Sequence, residues 1–173
     1  LGFNLGDRVA VVVGASSGLG ADAARAYAAA GADVALLARR VDRLEALGEE
    51  IESAGGRAVV VRCDVTDEGS CRTAVSAVLD ACERIDILLN NAGVAVRGGV
   101  ETLNDEEWDR SFDTNVKGIV HVSKYVVPHM KERSYGKIVN IASVNAVIAD
   151  KQDVFVRHAY NASKAAVLGL TRG

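Results

Sequence analysis

The sequence predicts an α/β domain with a doubly wound parallel sheet. Three observations predict it: short runs that are apolar at every position, a concentration of β-branched residues in those runs, and segments of helical apolar spacing between them. A strand that is apolar on both faces is typical of a parallel sheet covered by helices on both sides. Alternation of such strands with helices gives βαβ units with right-handed crossovers, and ligands then bind at the carboxyl ends of the strands.

The elements follow one another along the chain without a linker or a change of composition. The first predicted strand is residues 9–13, and a glycine loop and an Ala-rich helix follow it. Residues 34–38 predict the second strand, and the spacing of Leu44, Leu47 and Ile51 predicts the helix after it. The remaining predictions are strands at 58–63, 85–89 and 138–141 and a long helix from about 105 to 131. We expect residues 1–173 to form a single domain.

Composition limits the classes of partner. With 173 residues, 49% of them hydrophobic, and a formal net charge of -3, the chain can bury a core without metal or disulfide bonds. The mild acidity argues against a nucleic-acid partner, and no apolar stretch is long enough to span a bilayer. The three cysteines lack metal-ligand spacing and the histidines form no i,i+4 pair, so no metal site is predicted. A cytoplasmic location is the expectation.

The glycine loop between the first strand and the first helix reads GASSGLG over residues 14–20. Its glycines allow a tight turn and a close backbone approach, so that N–H groups at the helix start can face a pyrophosphate. A glycine-rich turn without a ligand is the alternative, but the position after a buried strand favours a Rossmann-type dinucleotide site. The candidate cofactor-binding residues of this loop are Gly14, Ser16, Ser17, Gly18, Leu19 and Gly20.

The second predicted strand ends in LARR (residues 37–40), without the carboxylate that would bind the ribose 2′-OH of NAD. Arg39 could instead hold a 2′-phosphate or stack on adenine, so NADP(H) is preferred and NAD(H) stays possible. A solvated pair of arginines at a helix start is the alternative. After the third strand, Asp64 is placed to accept a hydrogen bond from an adenine amino group, to cap its own turn, or both.

Two more motifs lie at strand ends or in the long helix. NNAG (residues 90–93) follows the fourth strand, where a polar side chain can fix the loop and small residues let the cofactor lie close. Asn115 lies inside the predicted long helix, which is an unfavourable place for asparagine unless its amide has a partner.

Tyr160 and Lys164 stand four residues apart in YNASK, which places a phenol and an ammonium on the same face of a helix. A phenol is a poor base at neutral pH, but an adjacent cation stabilises the phenolate, so this tyrosine could pass a proton in both directions. The alternative is that Tyr160 and Lys164 merely share a stripe on the helix surface and have no catalytic role. Ser143 is predicted to end the fifth strand, where its hydroxyl could orient a substrate carbonyl or serve only as a strand-end residue.

Six motifs follow in a fixed order: VGASSGLG, CDVTD, NNAG, NVKG, NIASV and YNASK. In this combination the sequence resembles the short-chain dehydrogenase/reductase family from about Val9 to the last residue. The resemblance implies that Tyr160 is the catalytic acid/base and that Lys164 binds the nicotinamide ribose and favours ionisation of the tyrosine. It also implies that Ser143 polarises the substrate and that Asn115 holds a water that connects the lysine to solvent.

The resemblance implies an NAD(P)(H)-dependent oxidoreductase that interconverts a ketone and a secondary alcohol by hydride transfer. It implies a homodimer or homotetramer with a small-molecule substrate. The family continues after the position of Gly173, so the sequence is expected to lack its C-terminal strands. A non-catalytic dinucleotide-binding module or an inactive fragment is the alternative. Beyond the glycine loop, the predicted cofactor-binding set is Arg39, Asp64, Val65, Asn91, Ala92, Gly93, Tyr160 and Lys164.

Overall fold

A computed structural model of the chain describes residues 4–149, 151 and 156–172. Its centre is a parallel sheet of five strands in the order β3-β2-β1-β4-β5. The strands are β1 (Val9–Val13), β2 (Asp33–Ala38), β3 (Ala58–Arg62), β4 (Ile87–Asn90) and β5 (Lys137–Asn140). From β1 the chain adds β2 and β3 on one side of the sheet and then β4 and β5 on the other. The switch point between β1 and β4 is the place where open α/β sheets bind ligands. The predicted doubly wound, Rossmann-type fold is confirmed.

Helices connect the strands on both faces of the sheet. In the described ranges they are α1 (Gly18–Ala29), α2 (Val41–Ser53), α3 (Glu68–Cys82), α4 (Asp105–Phe112), α5 (Gly118–Glu132) and α6 (His158–Arg172). The predicted long helical segment from about 105 to 131 is present as contiguous helical turns, in which a π-helical turn, Asp113–Lys117, separates α4 from α5. Such turns widen a helix by one residue and are frequent at functional sites.

The core consists of two layers that share β1. Val11 and Val13 pack in one layer, which includes residues of α3 and α5, whereas Ala10 and Val12 pack in the other, which includes residues of α1 and α2. The alternation follows from the two-residue period of a strand, and it explains why every β1 residue is apolar.

No helix in the described part of the chain combines the length and apolar character needed to cross a membrane.

A buried carboxylate holds together the amino ends of two central strands, β1 and β4. Asp86 is 1% exposed and accepts hydrogen bonds from the Val9 amide (2.9 Å) and from the Arg84 guanidinium (2.6 and 2.7 Å). Burial opposes ionisation, but the Arg84 and Val9 hydrogen bonds outweigh it and hold the pKa of Asp86 below its ordinary value. The Arg84–Asp86 pair therefore holds the first residue of β1 beside the start of β4.

Candidate active site

A cleft of about 250 Å³ opens at the carboxyl ends of the central strands. Nine of the predicted cofactor-binding residues line it, namely Gly14, Ser16, Ser17, Arg39, Asp64, Val65, Asn91, Ala92 and Gly93. Gly18, Leu19 and Gly20 do not line this cleft and form the first turn of α1. Leu19 is 70% exposed, whereas an added Cβ at Gly20 would collide with the Gly14 carbonyl, so Gly20 lets the helix pack closely against the loop.

The glycine loop is shaped for a close backbone approach. Gly14 has φ +84°, and a Cβ there would lie 2.8 Å from the Ala92 backbone. The Asn91 side-chain amide donates to the Gly14 carbonyl at 3.2 Å, which ties the loop after β4 to the loop after β1. Gly18 begins α1 with φ +55°, and nothing lies within 4 Å of the place where its Cβ would be. The first turn of α1 therefore borders open space of the kind that a phosphate group could occupy.

Arg40 contacts the glycine loop more closely than the sequence indicated. Its Nη2 donates to the Ser16 and Ser17 hydroxyls, at 2.8 Å each. Arg39 lines the same cleft. The sequence reasoning assigned a role only to Arg39, because two adjacent arginines after a strand give no indication of which side chain turns towards the loop. The structure adds Arg40 to the candidate cofactor site.

Asp64 satisfies the turn-forming alternative and also lines the cleft. Its Oδ1 accepts from the Thr66 amide (3.1 Å) and from the Thr66 hydroxyl (2.8 Å). Partial burial opposes ionisation, but the hydrogen bonds from Thr66 outweigh it and hold the pKa of Asp64 below its ordinary value. The cap of α3 is Asp67, which accepts from the Gly69 and Ser70 amides. Asp64 is therefore a carboxylate at the cleft wall.

Asn115 lies in the π-helical turn and is completely buried. Its Oδ1 accepts from the Val94 amide (2.8 Å), and its Nδ2 donates to the Val94 carbonyl and to the Ser163 hydroxyl (2.9 Å each). The predicted need for an amide partner is met three times. Ser163 in turn donates to the Tyr160 carbonyl at 2.7 Å. Asn115 thus joins the loop after β4 to the first turns of α6.

Lys164 and Tyr160 lie together, as the i,i+4 spacing predicts. The Lys164 Nζ is 5.9 Å from the centre of the Tyr160 ring and donates to the Ile141 carbonyl at 2.6 Å. Lys164 is only 4% exposed, and this burial lowers its pKa. A Cβ at Gly93 would lie 3.5 Å from the Nζ and 3.2 Å from the Asn115 Oδ1. The ammonium therefore stands directly behind the Gly93 wall of the cleft.

Ser143 is displaced from its predicted position. It does not end β5, which stops at Asn140, but precedes a 3₁₀ turn, Val144–Ala146, that packs against α6. Its hydroxyl accepts from the Asn145 amide and donates to the Asn145 Oδ1, both at 3.2 Å. The extra residues between strand and serine carry the hydroxyl out of the sheet and towards the helix that holds Tyr160.

The part of the chain that the structure describes contains no group of three or more His, Cys, Asp or Glu side chains that could hold a metal ion. The three cysteines are free and buried. The chemical groups that the site does bring together are a phenol, a buried ammonium, hydroxyls and amides beside a glycine-lined cleft.

The sheet order, the glycine loop and the cleft at the carboxyl edge define an α/β protein of the Rossmann class. Comparison with known families narrows this class. The family model described as short chain dehydrogenase matches residues 8–173. The chain belongs to this family.

This chain spans only part of the length of the proteins that it resembles. Oxidoreductase UcpA of Salmonella typhimurium is 39% identical over 166 residues, which are 95% of this chain and 61% of that protein. A solved structure of 7α-hydroxysteroid dehydrogenase with NADH and 7-oxo glycochenodeoxycholic acid has a TM-score of 0.91 at 29% identity, covering 98% of this chain and 64% of that one. A metagenomic short-chain oxidoreductase in complex with NADP has a TM-score of 0.86 at 40% identity, covering 96% and 74%.

Proposed function

We propose that this chain carries the cofactor-binding and proton-transfer parts of an NADP(H)-preferring oxidoreductase that interconverts a ketone and a secondary alcohol. The observation that carries the proposal is the buried Lys164 ammonium, which lies beside the Tyr160 ring and behind the Gly93 wall of the cleft. A bound nicotinamide would supply or accept the hydride.

The chain's own residues would move the proton. In reduction, the Tyr160 hydroxyl gives its proton to the carbonyl oxygen, which becomes the alcohol hydroxyl; in oxidation, the phenolate takes that proton back. The Lys164 ammonium stabilises the phenolate, and the Ile141 carbonyl holds the ammonium in place. The Asn145 backbone amide holds the Ser143 Oγ in place, and the hydroxyl would turn its single proton from the Asn145 Oδ1 to the substrate oxygen. Asn115 would hold the loop after β4 and the start of α6 together.

The cleft suits a dinucleotide phosphate because Gly14 and Gly20 leave no room for a side chain, so the loop backbone is open to a close approach. A Cβ at Gly14 would strike the Ala92 backbone, and Gly18 faces open space. Arg39 and Arg40 provide two guanidinium groups, which are always charged and suit a 2′-phosphate, at the end of β2. The metagenomic relative with NADP is consistent with this preference, whereas the steroid dehydrogenase with NADH shows that relatives differ.

Binding measurements test the cofactor preference. We expect Arg40→Ala and Arg39→Ala each to raise the Kd for NADPH about 10- to 100-fold, which corresponds to one charge-assisted hydrogen bond, and to raise the Kd for NADH much less. Arg133→Ala, at the exposed end of α5, is the matched control. Equal affinities of the unaltered protein for NADPH and NADH would remove the preference.

Substitution of the phenol tests the proton transfer. Tyr160→Phe is expected to abolish turnover while the Kd for the reduced cofactor stays within about two-fold, and Tyr135→Phe is the control on an exposed tyrosine. Turnover is measured with ketones and sugar alcohols by the absorbance of the reduced cofactor. Turnover retained in Tyr160→Phe would refute the role of Tyr160, and cofactor binding without turnover of any alcohol or ketone would favour the non-catalytic module.

We also propose that the chain assembles as a homodimer or homotetramer through α5 and α6. Val120 on α5 and Leu170 on α6 are 43% and 40% exposed, which is consistent with a contact on these helices. Light scattering during size-exclusion chromatography measures the mass, and a monomer at all concentrations would contradict the assembly. The cytoplasmic location stays a prediction from composition.

A further inference from the structure

Arg157 precedes α6, three residues before Tyr160, and its backbone is fixed from outside the helix. Gly98 and Arg157 form an isolated parallel bridge. The Gly98 amide donates to the Val156 carbonyl (2.8 Å), and the His158 amide donates to the Gly98 carbonyl (3.2 Å). The Asn161 amide donates to the Arg157 carbonyl at 2.8 Å, and this hydrogen bond belongs to the first turn of α6. The main chain of Arg157 is thus held between the loop after β4 and α6.

The Arg157 side chain reaches both halves of the proton-transfer site. Its Cζ is 5.3 Å from the centre of the Tyr160 ring, which is within the range of a cation–π contact. Its Nη2 lies 3.4 Å from the Asn145 Oδ1. That same oxygen accepts the hydroxyl of Ser143, and the Asn145 amide donates to the Ser143 Oγ. One guanidinium therefore contacts the phenol ring and the residue that orients the serine.

The guanidinium has the shape that this double contact needs. It is planar, so it can lie against an aromatic ring while an N–H at its edge donates to an oxygen. A lysine ammonium is a point charge on a flexible chain and would not make both contacts at once. Among the described residues, Lys164, at 5.9 Å, and Arg157, at 5.3 Å, are the cations recorded against the Tyr160 ring.

We propose that Arg157 is a positioning residue for the catalytic pair, which fixes the Tyr160 ring directly and the Ser143 hydroxyl through Asn145. The proposal rests on the proposed function, because it assigns Arg157 a role in the same proton transfer. It adds a residue outside the YNASK motif and outside the cofactor cleft. Loss of the side chain should slow the chemical step without weakening cofactor binding.

Kinetics test the proposal on the full chain. We expect Arg157→Ala to lower kcat about ten-fold, with the Kd for NADPH and the melting temperature unchanged, and Arg157→Lys to recover little of the loss. Added methylguanidinium should restore part of kcat in Arg157→Ala, whereas equal concentrations of ammonium or sodium chloride should not. Arg172→Ala, at the exposed far end of α6, is the matched control. A merely structural role would give a lower melting temperature and no rescue.

A double-mutant cycle tests the connection through Asn145. If Arg157 acts partly through Asn145, the loss in the double variant Arg157→Ala/Asn145→Ala is smaller than the product of the two single losses. A wild-type level of kcat in Arg157→Ala would overturn the inference while leaving the function intact, since Tyr160→Phe would still be inactive. An unaltered protein with no turnover would instead refute the proposed function and, with it, the positioning role.

In fluorotyrosine-labelled protein, a second measurement needs no turnover. The ¹⁹F resonance of Tyr160, identified by its absence in Tyr160→Phe, should shift in Arg157→Ala, while those of Tyr27, Tyr125 and Tyr135 stay in place. An unchanged Tyr160 resonance would overturn the contact itself.

Discussion

Replacement of Asn115 by alanine tests whether one buried amide holds the candidate site together. The Asn115 side chain makes three hydrogen bonds, two with the Val94 backbone and one with Ser163, and none of its surface is exposed. At about 1 kcal/mol of net stability for each bond, the loss is about 3 kcal/mol. For a domain of this size the melting temperature should fall by about 6–12 °C.

Urea unfolding followed by circular dichroism measures the loss, with an unchanged m-value as the check that only stability has altered. Asn104→Ala is the matched control, since Asn104 is exposed and caps α4 by accepting from the Glu107 amide at 2.8 Å. Loss of that cap costs about 1 kcal/mol. If Asn115→Ala costs no more than Asn104→Ala, the buried amide does not connect the loop after β4 to α6.

Three further substitutions probe the sheet edge and the cleft. Asp86→Asn should lower the free energy of unfolding at pH 7 by about 2 kcal/mol. Because the folded-state pKa of Asp86 is lowered, its contribution is present above the ordinary aspartate pKa of about 4 and is lost as pH falls further, so the variant's acid-unfolding curve should be shallower. Lys164→Met should reduce kcat at least about 100-fold. Since burial lowers the pKa of Lys164, kcat of the unaltered protein should fall at an alkaline pH below the ordinary pKa of lysine, and a fall only above that pKa would contradict this role. Gly93→Ala should lower the melting temperature and turnover together, because the added methyl group meets the buried Asn115 Oδ1 at 3.2 Å, which the Val94 amide holds in place.

The sheet was predictable because its strands have a strong local signal. Five apolar runs place the five described strands to within two residues, and the signal is clearest for β1, which is covered on both faces and apolar throughout. The i,i+4 spacing likewise predicted that Tyr160 and Lys164 lie together. Both predictions depend on the residue pattern within one strand or one helix, which can be read from the sequence alone.

The parts that were missed depend on contacts between elements. The π-helical turn around Asn115 was not predicted, because apolar periodicity does not distinguish one widened turn inside a helix, and its stabilising partner Val94 is distant in sequence. The contacts of Arg40 with Ser16 and Ser17 depend on the direction of a side chain in a loop, which alternation does not define. The only available signal was the position of Asn115 in an otherwise helical segment, which indicated a partner without identifying it.

The loop after β4 explains why these separate contacts belong to one site. Asn91 reaches back to the Gly14 carbonyl, and Val94 is held on both its amide and its carbonyl by Asn115. Gly93, between them, has the Lys164 ammonium behind it and the cleft in front. Because the Asn91 side chain and the Val94 backbone anchor the two ends of this short loop, it cannot shift towards the cleft without moving Asn115 or the glycine loop. The cleft wall at Gly93 and the surroundings of the Lys164 ammonium therefore depend on the same few peptide units.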